Sequence, residues 1–188
     1  DMVLAQVLLT ALRRSDPDVI IDVLAPQWTL PIVRRMPEVR AAIASPFAHG
    51  ELALRKRWHL GRALRKQNYV QAIVLPNSLK SALVPYFAGI PRRTGFRGEA
   101  RYRLINDMRI LDVKRMPRMI DRFLALSDEA VSESLQPRLG SDPDARERLL
   151  GRLGLSKRRP IAALCVGAEY GPAKRWPAGH FAALAETL

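Results

Sequence analysis

Apolar residues recur at helical spacing from Met2 to Arg14, with Asp1 at the N-cap position and Arg13 and Arg14 in the last turn. A β-branched run from Val19 to Leu24 reads as a strand closed by Pro26. Thr29–Arg35 follows as a short helix, Ala41–Ala44 as a weaker strand, and Leu52–Gln67 as a longer helix. Tyr69–Leu75 then opens the best-defined unit, an apolar run ending at Pro76, the polar pair Asn77-Ser78, and an amphipathic helix stopped by Gly89. A second extended piece carries Arg92, Arg93 and Arg97. Beyond it the pattern predicts a helix over Pro117–Ser127, a surface connection over 132–141, and a helix from Asp142-Pro143 to Leu153. An apolar strand, Ile161–Cys165, then runs into a glycine-containing loop and a final helix.

Strands alternating with helices at this spacing predict an α/β fold with a parallel sheet wound on both sides. Such a sheet begins with a strand, yet here a helix comes first; the expectation is truncation just before Asp1, with the first strand and its turn missing. The pattern restarts after the connection, so residues 1–155 read as one domain with its linker and 156–188 as the start of a second.

Charge sharpens this picture. The 188 residues carry 31 Lys+Arg against 18 Asp+Glu, a net charge of +13, which favours an anionic partner: nucleic acid, a phosphorylated small molecule or an acidic membrane surface. The helix Leu52–Gln67 holds Arg55, Lys56, Arg57, Arg62, Arg65 and Lys66 with no acid; it is either a solvated face or a contact for acidic headgroups. The single Cys165 excludes a disulfide framework, and its apolar surroundings predict a buried thiol. His49, His59 and His180 lack metal-ligand spacing, so no metal site is expected.

Two places are suited to chemistry. In open parallel sheets ligands gather where strands end and helices begin, which singles out Asn77, Ser78 and Lys80, with the arginines after Pro91 as further anion contacts. The segment VGAEYGPAKRWP (166–177) places Gly167 and Gly171 before Lys174 and Arg175, a loop able to bend around a phosphate, or else an ordinary strand-to-helix turn; it lacks P-loop spacing. Asp1, at a sheet mouth, reads either as a helix cap or as a general base.

DVLAP at 22–26, RMPEV at 35–39, VLPNSLKSALVPYFAGIPRRTGFRGEARY at 74–102 and GPAKRWP at 171–177 closely resemble the lipopolysaccharide heptosyltransferase II family of Gram-negative bacteria, within glycosyltransferase family 9. The resemblance covers nearly the whole chain and is weakest over 130–159. It implies the GT-B architecture of two Rossmann-like domains facing across a cleft, here an N-terminal domain without its first strand plus the start of the second. It also implies inverting transfer of L-glycero-D-manno-heptose from ADP-heptose to the first heptose of the lipid A–Kdo–heptose acceptor, on the cytoplasmic face of the inner membrane, with no metal or other cofactor and no nucleic acid partner. By resemblance Asp1 is the base, Lys174 lies near the donor diphosphate with Gly167, Ala168, Glu169 and Arg175, and Asn77, Ser78, Lys80, Arg92, Arg93 and Arg97 are candidate acceptor contacts. The family's adenosine-binding segment has no counterpart before Leu188, so this polypeptide is expected to be inactive alone. Transfer of the first heptose, or of another sugar, is the neighbouring alternative; a basic nucleic-acid- or membrane-binding module is the alternative of another class.

Overall fold

A computed structural model describes residues 1–48, 50–128, 135–156, 158, 160–168 and 171–188. Its contacts divide the chain into two units, Asp1–Gly140 and Ser141–Leu188.

Helix α1 (Met2–Ser15) opens the first unit, and the strands β1 (Ile21–Pro26) and β2 (Val39–Ser45) pair in parallel, joined through the short helix α2 (Leu30–Val33). Helix α3 (Leu54–Leu64) leads to β3 (Gln71–Val74), then α4 (Leu83–Phe87), β4 (Arg92–Phe96) and β5 (Asp107–Arg109), and α5 (Met119–Leu124) follows. β3, β4 and β5 form a second all-parallel sheet in that order. The expected α/β class and parallel pairing are therefore present, but as two sheets. No strand among the described residues bridges β1 to β3, the place where a doubly wound sheet puts the strand that precedes α1.

The main core lies between α1, α5 and the three-stranded sheet. Val7, Leu8 and Ala11 of α1 join Phe96, Phe123, Leu126 and Leu135 there, each large side chain stabilising the fold by about 2 kcal/mol. Gln6 is also buried on this face, and its amide is satisfied on both sides: Nε2 donates to Glu38 (3.0 Å) and to the Arg138 carbonyl (2.7 Å), and Oε1 accepts from the Arg138 N–H (2.8 Å). That pairing docks the segment 135–140 onto α1. Gly89 ends α4 in the left-handed region (φ 69°), with the Ile90 N–H reaching back to the Pro85 carbonyl at 3.2 Å. Gly61 lets α3 lie against α4, because a Cβ there would stand 2.6 Å from the Phe87 Cβ.

In the second unit α6 (Pro143–Arg152) starts as expected, with the Asp142 carboxylate accepting from the Ala145 N–H at 3.0 Å. α7 (Ala178–Thr187) follows Pro177. The expected strand over Ile161–Cys165 is not formed; a ladder needs a partner, and among the described residues no strand pairs with these residues. Ile161 and Leu164 are exposed, and so is Cys165, contrary to the buried thiol predicted from its neighbours.

Candidate functional site

The carboxyl ends of β3 and β4 converge on one loop, 76–81. After Val74 the chain leaves the sheet through Pro76, Asn77 and Ser78 and enters a 3-10 turn, Leu79–Ala82, ahead of α4. Opposite it, β4 ends at Phe96 and passes through Arg97 and Gly98. These two exits touch: a Cβ on Gly98 would fall 2.3 Å from the Asn77 carbonyl oxygen, so only glycine lets them meet. Glu99 closes the junction, its N–H donating to the Asn77 carbonyl (3.2 Å) and its carboxylate accepting from the Leu79 N–H (2.7 Å).

Two buried arginines grip this loop from either side. Arg101 is 1% exposed; its guanidinium donates to the Pro76 carbonyl (2.6 Å), Asn77 Oδ1 (3.1 Å), Ser81 Oγ (3.3 Å) and the Phe96 carbonyl (2.6 Å). Arg57 of α3, also buried, donates to the carbonyls of Leu52 (2.6 Å), Glu51 (3.0 Å) and Lys80 (3.0 Å), and its guanidinium lies 3.9 Å from the Phe47 ring centroid. Burial pushes the pKa of both guanidinium groups below the ordinary arginine value. A desolvated guanidinium costs several kcal/mol unless its N–H groups find acceptors, and here main-chain oxygens supply most of them. Composition drew attention to the arginines as a class; no local spacing signal marks these two as the buried ones.

Of the expected acceptor contacts, Asn77, Ser78, Lys80 and Arg97 lie at this end, with Asn77 and Arg97 exposed and Ser78 and Lys80 half-buried. Arg92 and Arg93 do not. They begin β4, at the opposite end of the sheet, and their charge is spent internally. Arg92 reaches Asp107 (2.8 Å) and Asp128 (2.6 Å), and Arg109 reaches Asp128 (2.6 Å) while donating to the Ser127 carbonyl (2.7 Å). Arg92, then Arg109, holds the Asp128 carboxyl down at about 2, and Asp128, then Asp107, raises the Arg92 guanidinium. Arg93 donates to the Leu104 carbonyl (2.6 Å) and stands over the Tyr86 ring. The cavity lined by Arg65, Asn68, Tyr69, Gly89 and Pro91, about 390 Å³, is also at that amino end and away from the converging loops.

Asp1 is exposed and caps α1 through its backbone alone, its carbonyl accepting from the Ala5 N–H at 2.9 Å. The next residue, Met2, packs against the cluster of Ala25, Leu30 and Val33. In the second unit Gly171 takes φ 69° and its carbonyl accepts from the Lys174 N–H at 3.3 Å, starting the turn Pro172–Lys174. Arg175 Nε donates to the Ala168 carbonyl at 3.4 Å, and Trp176 stacks on His180. Gly167 has open space where a side chain would stand. Glu169 and His49 lie outside the described residues.

Two parallel sheets with loops converging at strand ends define an α/β scaffold of the Rossmann-like kind, and comparison with known proteins gives its family. The family profile described as glycosyltransferase family 9 (heptosyltransferase) matches residues 57–188, and the chain belongs to that family. It is 46% identical over 197 residues to lipopolysaccharide heptosyltransferase 2 of Escherichia coli K12, and 45% over 199 residues to lipooligosaccharide heptosyltransferase 2 of Haemophilus influenzae. Both alignments cover 100% of this chain and 57% of the relative, so the chain spans little more than half the length of either. Among solved structures, that of E. coli ADP-heptose lps heptosyltransferase II superposes with a TM-score of 0.88 at 43% identity, covering 100% of this chain and 57% of that one. A family 9 glycosyltransferase from Veillonella parvula shares the fold, with a TM-score of 0.77 at 17% identity over 99% of this chain and 56% of that one.

Proposed function

We propose that this chain carries the acceptor-side domain, and part of the donor side, of an inverting transferase. It moves L-glycero-D-manno-heptose from ADP-heptose to the first heptose of the lipopolysaccharide inner core. The observation that carries the reading is the 46% identity to the E. coli heptosyltransferase 2 across the whole chain. In this reading the acceptor oxygen attacks the anomeric carbon while its proton passes to the Asp1 carboxylate. The bond from the anomeric carbon to the diphosphate breaks on the opposite face, and ADP leaves with the electron pair. Lys174 and Arg175 supply positive charge to the departing diphosphate, with Gly167 and Ala168 shaping the loop around it, so the step calls for no metal. Asn77, Ser78, Lys80 and Arg97 meet the anionic acceptor. The enzyme works at the cytoplasmic face of the inner membrane, which α3 touches through Leu54 and Trp58 (51% and 43% exposed) and the surrounding basic residues.

The test is transfer by the complete enzyme from ADP-heptose to acceptor carrying a single core heptose. One added heptose is expected, and Asp1→Asn should lower the rate at least ~10²-fold. Turnover confined to heptose-free acceptor would reassign the enzyme to the first transfer, and turnover on neither would end the reading. Near-normal activity in the Asp1→Asn enzyme would remove its role as base.

A further inference from the structure

We infer that Arg101 is the positioning residue of the acceptor loop: its buried guanidinium ties residues 76–81 to the end of β4 and so fixes where Asn77 and Ser78 present themselves. The inference rests on the acceptor reading above and goes beyond it, because Arg101 itself is too buried to touch an acceptor. Three observations carry it. The first is reach. One guanidinium binds the Pro76 carbonyl, the Asn77 side chain and Ser81 Oγ on the loop, and the Phe96 carbonyl on the strand, so the two exits move as one body. A lysine, with a single ammonium, cannot span both.

The second is the absence of a compensating charge. Among the described residues no carboxylate pairs with Arg101; Glu99 acts on it only through space, and its Nε has no hydrogen-bond partner. A cation stored beneath a loop in a poorly solvated environment projects positive potential through that loop, the sign an anionic acceptor needs. Arg57 adds a second such cation through the Lys80 carbonyl. The third is the glycine opposite. Gly98 presses on Asn77 from the other exit, so the loop is wedged as well as tied. A loop needed only to connect β3 to α4 requires neither device.

The experiment has two arms. In the first, amide hydrogen exchange of the 188-residue chain is compared with Arg101→Lys and Arg101→Met. The N–H of Ser81, bonded to Ser78, and that of Glu99, bonded to Asn77, should exchange about tenfold faster in both variants, with the β1–β2 amides unchanged. Unchanged exchange at Ser81 and Glu99 would overturn the tie. In the second arm the complete enzyme is assayed with acceptor carrying one core heptose. Arg101→Lys should raise the acceptor KM about tenfold with donor KM unaltered, and Gly98→Ala, which moves the same loop without touching charge, should reproduce that pattern. If Arg101→Met does not fold, Arg101→Lys and Gly98→Ala still decide the matter. Faster exchange with an unchanged acceptor KM would make Arg101 purely structural and overturn the positioning role. An unmodified enzyme that turns over no heptosylated acceptor would end the functional reading and this inference with it, an outcome distinct from a failure of the variants alone.

Discussion

Tyr69 donates its hydroxyl to the Asp22 carboxylate, which also receives Arg40, so one carboxylate joins β1 and β2 to the approach of β3. Burial first, then that bond, pushes the Tyr69 phenol up to about 12, while Arg40 holds the Asp22 carboxyl below its ordinary value. Because the folded pKa of Tyr69 is raised above the ordinary value of about 10, its contribution to stability is complete below pH ~10 and is lost as pH climbs toward ~12. Spectrophotometric titration should therefore show a late-ionising tyrosine component, and Tyr69→Phe should delete it. A single uniform phenolate step near pH 10 would contradict the linkage. At this scale the sequence was legible only where a residue acts on its immediate neighbours. Gly89 and Asp142 end and start helices through local backbone geometry, and their roles could be read directly. Arg57, Arg101 and Gly98 matter because of what a distant segment brings to them, and no spacing rule records that. Arg92 and Arg97 looked like one cluster in the linear chain, yet along a strand rising ~3.3 Å per residue they occupy opposite ends of the sheet.

Among elements, α3 is the most constrained. Ala53 precedes it in the left-handed region (φ 42°), which delays the helix start from the expected Leu52 to Leu54, and Gly61 sets its closeness to α4. Gly61→Ala adds a methyl group that meets the Phe87 Cβ and the Val84 carbonyl, so it should destabilise the first unit by about 1–3 kcal/mol, despite the higher helix propensity of alanine. Chemical denaturation of the two proteins measures this directly, and equal midpoints would mean that the helices separate at no cost. The outward face gives the second expectation for this element. Vesicles containing acidic lipid should retain the protein and neutral vesicles should not. Replacing Trp58 and Leu54 by serine should weaken retention about tenfold or more, with salt weakening it further. Equal retention on neutral vesicles would remove the electrostatic part of the proposal. The failed strand at Ile161–Cys165 belongs to this scale too. The run is apolar, but a strand is a property of a pair, and hydrophobicity in one segment cannot supply the other.

At the scale of the molecule, the α/β class, the parallel pairing and most helices follow from periodicity, while the separation into two sheets does not. Pattern reading assigns strands; it does not count the neighbours each one needs. Among the described residues β1 is hydrogen-bonded to β2 and β3 to β4, with no strand joining the two sheets. Ile20 and Val70, immediately ahead of these strands, are largely exposed.

A net charge of +13 has a colloidal consequence, because molecules of like sign repel one another in solution. Repulsion of that kind decays over about 10 Å in 0.1 M salt. Light scattering from the purified chain should accordingly rise as sodium chloride is increased from about 0.05 to 0.5 M, and a flat response would show that this repulsion is not what keeps the molecules apart.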